Sequence, residues 1–225
     1  MIYTVITNIE KMDCRALRQS EAFISKNIIG YIENTTDQDQ KKARFCAYSS
    51  LFFALCEIFD EKNADIRFSE DGKPYLINCD KKIYISVSHC IGLSAVCMSD
   101  DGEVGIDIQD EIDLERADRL KNRFFKDLEI KNNLQNENKI LIFEFSDGIP
   151  ALTTFGEKDL AIIDSTLDFT EKWSLAESLL KCDGGGFGMA GDVSKIQKSC
   201  YSSTVRLMRE NKAFALSISI KKPIM

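Results

Sequence analysis

The sequence predicts an α/β (α+β) protein in which helices pack against small, mostly antiparallel sheets. Residues 37–59 open with acidic residues and continue with alanine, phenylalanine and leucine, which is typical of a long helix. Residues 82–88 alternate between polar and apolar side chains, as in a strand with one buried face. Helical segments precede strands in both halves of the chain. We therefore expect two similar lobes, each with a long helix on a small sheet.

In the first half, β-branched and apolar runs predict further strands at residues 1–9, 66–68, 93–98 and 104–108. Residues 14–33 carry a helical pattern. Turn signals occur at residues 71–74 and 100–102, where glycine follows aspartate. The first lobe is expected to comprise residues 1–109 and the second residues 110–225.

In the second half, the pattern predicts helices at residues 114–134 and 170–181, the latter with Thr170 as its N-cap. Several short strands are expected between residues 139 and 164. A glycine-rich loop should follow over residues 182–192, and closing strands at residues 193–196, 200–209 and 212–220.

The composition restricts the classes of ligand. Of the 225 residues, 44% are hydrophobic and 29% charged, which is typical of a globular chain. The net charge of −7 argues against a nucleic-acid-binding protein, because such proteins present a basic surface to phosphates. A phosphorylated small ligand remains compatible, since it needs only a few local cations. The apolar runs are shorter than a membrane-spanning helix, so we expect no membrane partner.

The cysteines indicate a reducing environment. Eight are present without a C-x-x-C pair, and the single histidine leaves little for a zinc site. Most lie within apolar runs and are expected to behave as small buried hydrophobic residues. The first residues do not have the pattern of a signal peptide, so we expect a cytoplasmic protein.

Two stretches of the sequence carry charged and polar residues that could bind a metal ion or take part in catalysis. Asp107 and Gln109 lie two apart on a predicted strand, so both should point away from the buried face and could offer oxygen ligands to Mg²⁺. Glu177 and Lys181 lie four apart on a predicted helix and should share one face. The alternatives are a solvated strand end for the first pair and a surface ion pair for the second.

His89 follows two serines at the end of a predicted strand, before Gly92. There an imidazole and nearby backbone N–H groups could meet a phosphate, although a lone histidine can equally be a structural donor. The glycine-rich residues 184–188 lack the lysine of a P-loop, and we interpret them as a loop bordering the site.

The two stretches together resemble the paired signatures of the 4′-phosphopantetheinyl transferases. Residues 85–109 (ISVSHCIGLSAVCMSDDGEVGIDIQ) resemble the first, S-x-S-H-x-x-G followed by G-I-D-I-E. Residues 173–181 (WSLAESLLK) resemble the second, W-x-x-K-E-A/S-x-x-K. Supporting matches lie at Gly72-Lys73-Pro74, at residues 123–125 with Glu129, and in the helix of Arg44. The length is similar to the monomeric, two-lobed type that activates surfactin synthetase, which implies its pseudo-twofold fold.

The resemblance implies a transferase that moves the phosphopantetheine arm of coenzyme A to a serine of an apo acyl or peptidyl carrier protein. The product would be 3′,5′-ADP, and the pathway fatty-acid, polyketide or nonribosomal-peptide biosynthesis. It implies that Asp107, Gln109 and Glu177 hold Mg²⁺, that Glu177 is the base, and that Lys181 neutralises the departing phosphate. It places Arg44 and His89 at the 3′-phosphate, and Gly72, Lys73 and Pro74 at the adenine, with Ser88 nearby.

The chain departs from this pattern in two positions. Gln109 stands where many relatives have glutamate, and Ala176 where the second signature usually has lysine. These departures keep open a non-catalytic relative that binds coenzyme A or a carrier. Residues 132–170 are longer than the family usually has, which predicts a reshaped carrier-docking surface. Five basic residues could form a patch on which an acidic carrier protein docks: Arg116, Arg119, Lys121, Arg123 and Lys126. The alternative is that they form a solvated helix face.

Overall fold

The computed structural model describes residues 1–113, 115, 117, 128–130, 132–134, 138–146, 149–155, 161–162, 168–209 and 212–223. It has mixed α/β structure. Five α-helices have described bounds: α1 (Cys14–Ser20), α2 (Lys26–Glu33), α3 (Gln38–Phe59), α4 (Asp168–Asp183) and α5 (Val193–Lys198). Short 3₁₀ helices occupy Glu21–Phe23 and Gly186–Asp192.

Eleven strands lie in the described residues. They are β1 (Ile2–Asn8), β2 (Asp65–Phe68), β3 (Pro74–Ile77), β4 (Tyr84–Cys90), β5 (Leu93–Ser99), β6 (Val104–Asp110), β7 (Asn138–Ser146), β8 (Ile149–Thr154), β9 (Ala161–Ile162), β10 (Cys200–Arg209) and β11 (Lys212–Lys221). A five-stranded sheet has the order β4-β5-β1-β7-β8, and a four-stranded sheet has the order β6-β11-β10-β9. The pair β2-β3 forms a separate hairpin.

The inner strands β1 and β5 of the five-stranded sheet are buried on both faces. Along β5, Val96 and Met98 join the core beneath α3, whereas Leu93, Ala95 and Cys97 face the four-stranded sheet. This follows from the period of two along a strand, which sends successive side chains to opposite faces. The core between the two sheets takes apolar residues from β1, β5, β6, β10 and β11. The layers are therefore α3, the five-stranded sheet, the four-stranded sheet and α4.

Helix α3 begins and ends on residues suited to those positions. Asp37 is its N-cap and accepts a hydrogen bond from the Gln40 N–H at 2.9 Å, as predicted from the acidic start. The helix ends where Asp60 adopts a left-handed backbone with φ of 58°. The predicted bounds for this helix and for most strands are confirmed to within a few residues.

Strands that are far apart in the sequence lie side by side in the two sheets. Strand β6 from the first half pairs with β11, whereas β7 and β8 from the second half extend the five-stranded sheet. Strand β7 pairs with β1 in parallel, and all other strand pairs of the described residues are antiparallel. Both halves of the chain therefore contribute to both sheets.

Three predictions of local structure are wrong. Thr170 is not an N-cap but lies inside α4, where its hydroxyl accepts a hydrogen bond from the Ile112 N–H at 3.0 Å. Residues 182–192 are not a loop, because α4 continues to Asp183 and a 3₁₀ helix follows. Residues 193–196 are helical, since Val193 and Ile196 lie three apart and bury one stripe against α4.

Strand β3 was not predicted from the sequence. The predicted helix at residues 114–134 and the proposed basic patch lie largely or wholly outside the described residues. Seven cysteines have described side chains, and all seven are free thiols. Within the described residues, none of the helices combines the length and apolar character needed to cross a membrane.

Candidate active site

Asp107 lies on β6 and points toward α4. Its neighbours Ile106 and Ile108 enter the core between the sheets, so alternation sends the Asp107 carboxylate to the other face, where only 4% of the residue is exposed. Gly105 allows this close packing. An added Cβ there would lie 1.9 Å from the Ser178 carbonyl oxygen and 2.4 Å from the Cys182 nitrogen. The absence of a side chain therefore lets the helix backbone rest directly on the strand.

Lys181 joins the two stretches that carry the candidate chemistry. Its Nζ donates to Asp107 Oδ1 at 2.8 Å and lies 3.9 Å from Glu177 Oε2. The Lys181 side chain retains 31% exposure, compared with 5% for that of Asp107. One ammonium thus lies beside two carboxylates from different elements, and it remains partly accessible to a ligand.

Ser88 completes this hydrogen-bonded group. Its Oγ donates to Asp107 Oδ1 at 2.9 Å, and it accepts from Lys181 Nζ at 3.0 Å and from the Ile108 N–H at 3.2 Å. The hydroxyl therefore uses its one donor and both acceptor positions. Ser86 likewise accepts from the Ile106 N–H at 3.1 Å. Two serines on β4 thereby connect the edge strands of the two sheets.

One atom of the site has no partner. Asp107 Oδ2 is buried and forms no hydrogen bond with any described residue. Burying a carboxylate oxygen without a donor or a cation is costly, so this oxygen suits a metal ligand. Glu177 offers a second carboxylate nearby, since Lys181 contacts both. The donor set of Asp107 and Glu177 therefore fits a hard cation such as Mg²⁺.

Gln109 is less available as a metal ligand than its position on β6 predicts. Its amide nitrogen donates to the Asp110 carbonyl at 3.1 Å and to Asp110 Oδ1 at 2.8 Å, so the amide is held against its own strand. Among the described residues, no group of three or more His, Cys, Asp or Glu side chains is arranged to hold a metal ion. A cation here would depend on two carboxylates, the Gln109 amide oxygen and ligands from outside the described residues.

His89 lies on β4, next to Ser88 in the sequence, and Arg44 lies on α3. Burial lowers the pKa of His89, and the positive charges of Arg44 and Lys181 lower it further, opposed by the Asp107 carboxylate. The imidazole is therefore within electrostatic reach of two cations. Such a group of positive and neutral donors favours an anionic ligand.

Lys73 and Pro74 line a cavity with a volume of about 880 Å³. The Lys73 ammonium donates to Glu103 Oε2 and to the Cys182 carbonyl oxygen, the latter at 3.0 Å. Gly72 forms the preceding turn with φ of 82°, a conformation that favours glycine. Asp183, Gly184 and Gly185 also line this cavity. Asp183, the last residue of α4, therefore lines the cavity, and Lys181, which contacts Asp107, lies only two residues earlier in the same helix.

No protein-family model matches the chain. No curated protein matches it either. The resemblance to 4′-phosphopantetheinyl transferases therefore depends on the sequence motifs alone.

Several residues of the site were missed by sequence reasoning. Ser86 could have been found from its S-x-S spacing with Ser88, since both lie on one face of a strand. Glu103, the partner of Lys73, precedes strand β6 without any recognisable pattern.

Ala176 is only 4% exposed and packs in the core beneath α4. A lysine at that position would have to carry its charge out of a packed interior.

Proposed function

We propose that this protein is a Mg²⁺-dependent 4′-phosphopantetheinyl transferase. It would transfer the phosphopantetheine arm of coenzyme A to a serine of an apo acyl or peptidyl carrier protein and release 3′,5′-ADP. The observation that carries the proposal is the contact of Lys181 with both Asp107 and Glu177, beside the unpartnered oxygen of Asp107. The two motifs are far apart in sequence, yet their charged residues meet at one ammonium.

The residue types suit phosphoryl transfer, which depends mainly on positioning and on neutralising charge. Mg²⁺ held by Asp107 and Glu177, with Gln109 alongside, would neutralise the diphosphate. Lys181 is partly exposed and can turn its ammonium from Asp107 to the departing phosphate. Glu177 would accept the proton of the attacking serine, because a carboxylate is an effective base when held close to the hydroxyl.

The architecture proposed for this function is two lobes related by a pseudo-twofold axis. Its support is the packing of α3 on the five-stranded sheet and of α4 on the four-stranded sheet. Coenzyme A would lie with its adenine near Gly72, Lys73 and Pro74, where the large cavity supplies room. Its 3′-phosphate would meet Arg44 and His89. We further propose a cytoplasmic monomer whose other partner is the carrier protein.

A non-catalytic relative that binds coenzyme A or a carrier is the second candidate. It is favoured by the Gln109 amide, which is engaged with Asp110, and by the buried Ala176 in place of a lysine. The retention of Asp107 and Glu177, each in contact with Lys181, argues for the enzyme, because binding alone does not need a base.

Mass spectrometry of the carrier tests the proposal. The protein is incubated with coenzyme A, Mg²⁺ and a panel of apo carrier proteins, and we expect one carrier to gain one phosphopantetheine on serine. Glu177→Gln should abolish transfer while calorimetry still detects coenzyme A binding. Glu57→Gln, an exposed position on α3, is the matched control and should leave transfer unchanged. Coenzyme A binding without transfer to any carrier would support the non-catalytic candidate, and no binding at all would contradict both.

A further inference from the structure

Arg44 is held in place by two residues from outside its own helix. Its Nη1 donates to Thr35 Oγ1 at 2.9 Å, and its guanidinium carbon lies 5.1 Å from the centre of the Tyr31 ring. A guanidinium at this distance over an aromatic face is attracted by the ring quadrupole, whose face is partially negative. Tyr31 belongs to α2, and Thr35 follows that helix by two residues. The segment before α3 therefore orients a side chain on α3.

The Tyr31 ring is itself supported. It lies 4.7 Å from the Phe68 ring at an interplanar angle of 34°, and 6.2 Å from the buried Tyr48 ring at 89°. These contacts support the ring under Arg44, although 36% of Tyr31 is exposed. Burial raises the pKa of the Tyr48 phenol, and Tyr31 raises it further. Tyr48 therefore stays neutral and does not supply an anion for Arg44.

Arg44 forms no ion pair with a carboxylate within the described ranges. Its polar and aromatic contacts there are with the Thr35 hydroxyl and the Tyr31 ring. The positive charges of Arg44 and of Lys181 both act on His89 and lower its pKa. A guanidinium whose partners among the described residues are uncharged retains its full charge for an external anion.

We propose that Tyr31 and Thr35 are positioning residues that aim the Arg44 guanidinium at a phosphomonoester of the bound nucleotide. This inference rests on the proposed function, which places the 3′-phosphate of coenzyme A between Arg44 and His89. A free arginine side chain loses conformational entropy when it binds, and fixing it beforehand removes part of that loss. The pair therefore determines how strongly the site prefers a nucleotide with a 3′-phosphate over one without it.

The test uses two variants with matched controls. Thr35→Val removes the hydroxyl at nearly constant shape, and Thr35→Ser retains it. Tyr31→Leu removes the ring, and Tyr31→Phe retains its face. Calorimetry measures the binding of 3′,5′-ADP and of 5′-AMP, two probes that differ by the 3′-phosphate alone. Thermal denaturation of every variant confirms that each is folded.

We expect Thr35→Val and Tyr31→Leu each to weaken 3′,5′-ADP binding by roughly fivefold to tenfold, the effect of about 1 kcal/mol. Binding of 5′-AMP should change by less than about twofold, and the two conservative controls should bind both probes like the wild-type protein. Arg44→Gln should remove most of the preference. In a transfer assay, the KM for coenzyme A should rise in the two variants while kcat is unchanged.

Equal weakening of both probes would overturn the inference, because it would show a general structural effect. Unchanged binding in Thr35→Val and Tyr31→Leu would overturn it as well, as would a wild-type protein without preference for 3′,5′-ADP. The binding measurements need no carrier protein. A protein that prefers 3′,5′-ADP through these residues but transfers nothing would contradict the proposed reaction alone.

Discussion

At the scale of single residues, the Asp107–Lys181 ion pair is the contact of the site at which removing one charge should destabilise the fold most. Asp107 is nearly fully buried, whereas Lys181 keeps partial contact with water. Removing one partner of such a pair leaves the other charge without compensation, whereas removing both charges costs much less.

Lys181→Met should therefore lower the free energy of unfolding by about 2–3 kcal/mol, measured by urea denaturation in EDTA. The double variant Asp107→Asn/Lys181→Met should recover at least half of that loss, since Ser88 can still bond the amide. Equal stability of the single and double variants would show that the two charges are not coupled.

His89 provides a second residue-scale prediction, concerning pH. Its pKa is lowered by burial and then by Arg44 and Lys181, so the folded protein resists protonating it. The stability that this provides is present above the unfolded value near 6.5. It is lost as the pH falls toward the depressed pKa, because the unfolded imidazole takes up a proton first.

As the chain has a single histidine, NMR can follow its ring protons without assignment, and we expect a midpoint below 6.5. Unfolding at pH 7.5 and pH 5.5 should show a smaller loss of stability in His89→Asn than in the wild-type protein. A midpoint at or above 6.5 would indicate that an anion stabilises the protonated imidazolium instead.

At the scale of elements, the position of α4 on β6 determines whether the two motifs meet. Small residues line this contact: Gly105 lies under the helix, and the hydroxyls of Ser178 and Ser219 bond each other at 2.8 Å. Ser174 also donates to the Asp107 carbonyl oxygen at 3.1 Å. The close approach places Lys181 within hydrogen-bond distance of Asp107.

Gly105→Ala should force the helix away from the strand, because the added Cβ would overlap backbone atoms rather than movable side chains. We expect the free energy of unfolding to fall by more than about 2 kcal/mol, with loss of transfer activity. The matched control is Gly102→Ala, whose Cβ would lie 3.5 Å from the nearest atom, an ordinary contact. If both variants were equally stable, the direct packing of α4 on β6 would be wrong.

Local sequence signals predicted some elements well and others poorly. The capping Asp37 and the alternation around Asp107 act over a few residues, so helix α3 and strand β6 were predictable. The start of α4 was not, because Thr170 is a good N-cap by type but bonds Ile112 from a distant segment. Val193 and Ile196 are β-branched residues in a helix, where packing against α4 outweighs their strand propensity.

At the scale of the whole molecule, β7 unites the two halves of the chain. It pairs with β1 over six residues, and Phe143 enters the core beneath α3, 5.4 Å from the Phe53 ring. The long segment after residue 132 is therefore more than an added docking loop. Its contribution to carrier choice is best tested on exposed positions of β8, since loss of β7 would remove part of the core.

Phe143→Ala should lower the free energy of unfolding by about 3–5 kcal/mol, because a 1% exposed ring leaves a cavity. Ile149→Ala on the neighbouring strand is the control. Ile149 is 67% exposed, so the change should remain within about 0.5 kcal/mol. Urea denaturation distinguishes the two, and a mild effect of Phe143→Ala would mean that β7 is not part of the cooperative core.

The sequence by itself determined the local features of this protein: the length of α3, the alternation of most strands, and the two charged motifs on β6 and α4. These depend on periodicity and capping, which act within a few residues. Only the tertiary structure decided that Lys181 reaches Asp107, that β7 runs parallel to β1, and that Tyr31 and Thr35 hold Arg44. Such contacts join residues distant in the chain, and they depend on which surfaces can be buried together, for which short stretches of sequence carry no signal.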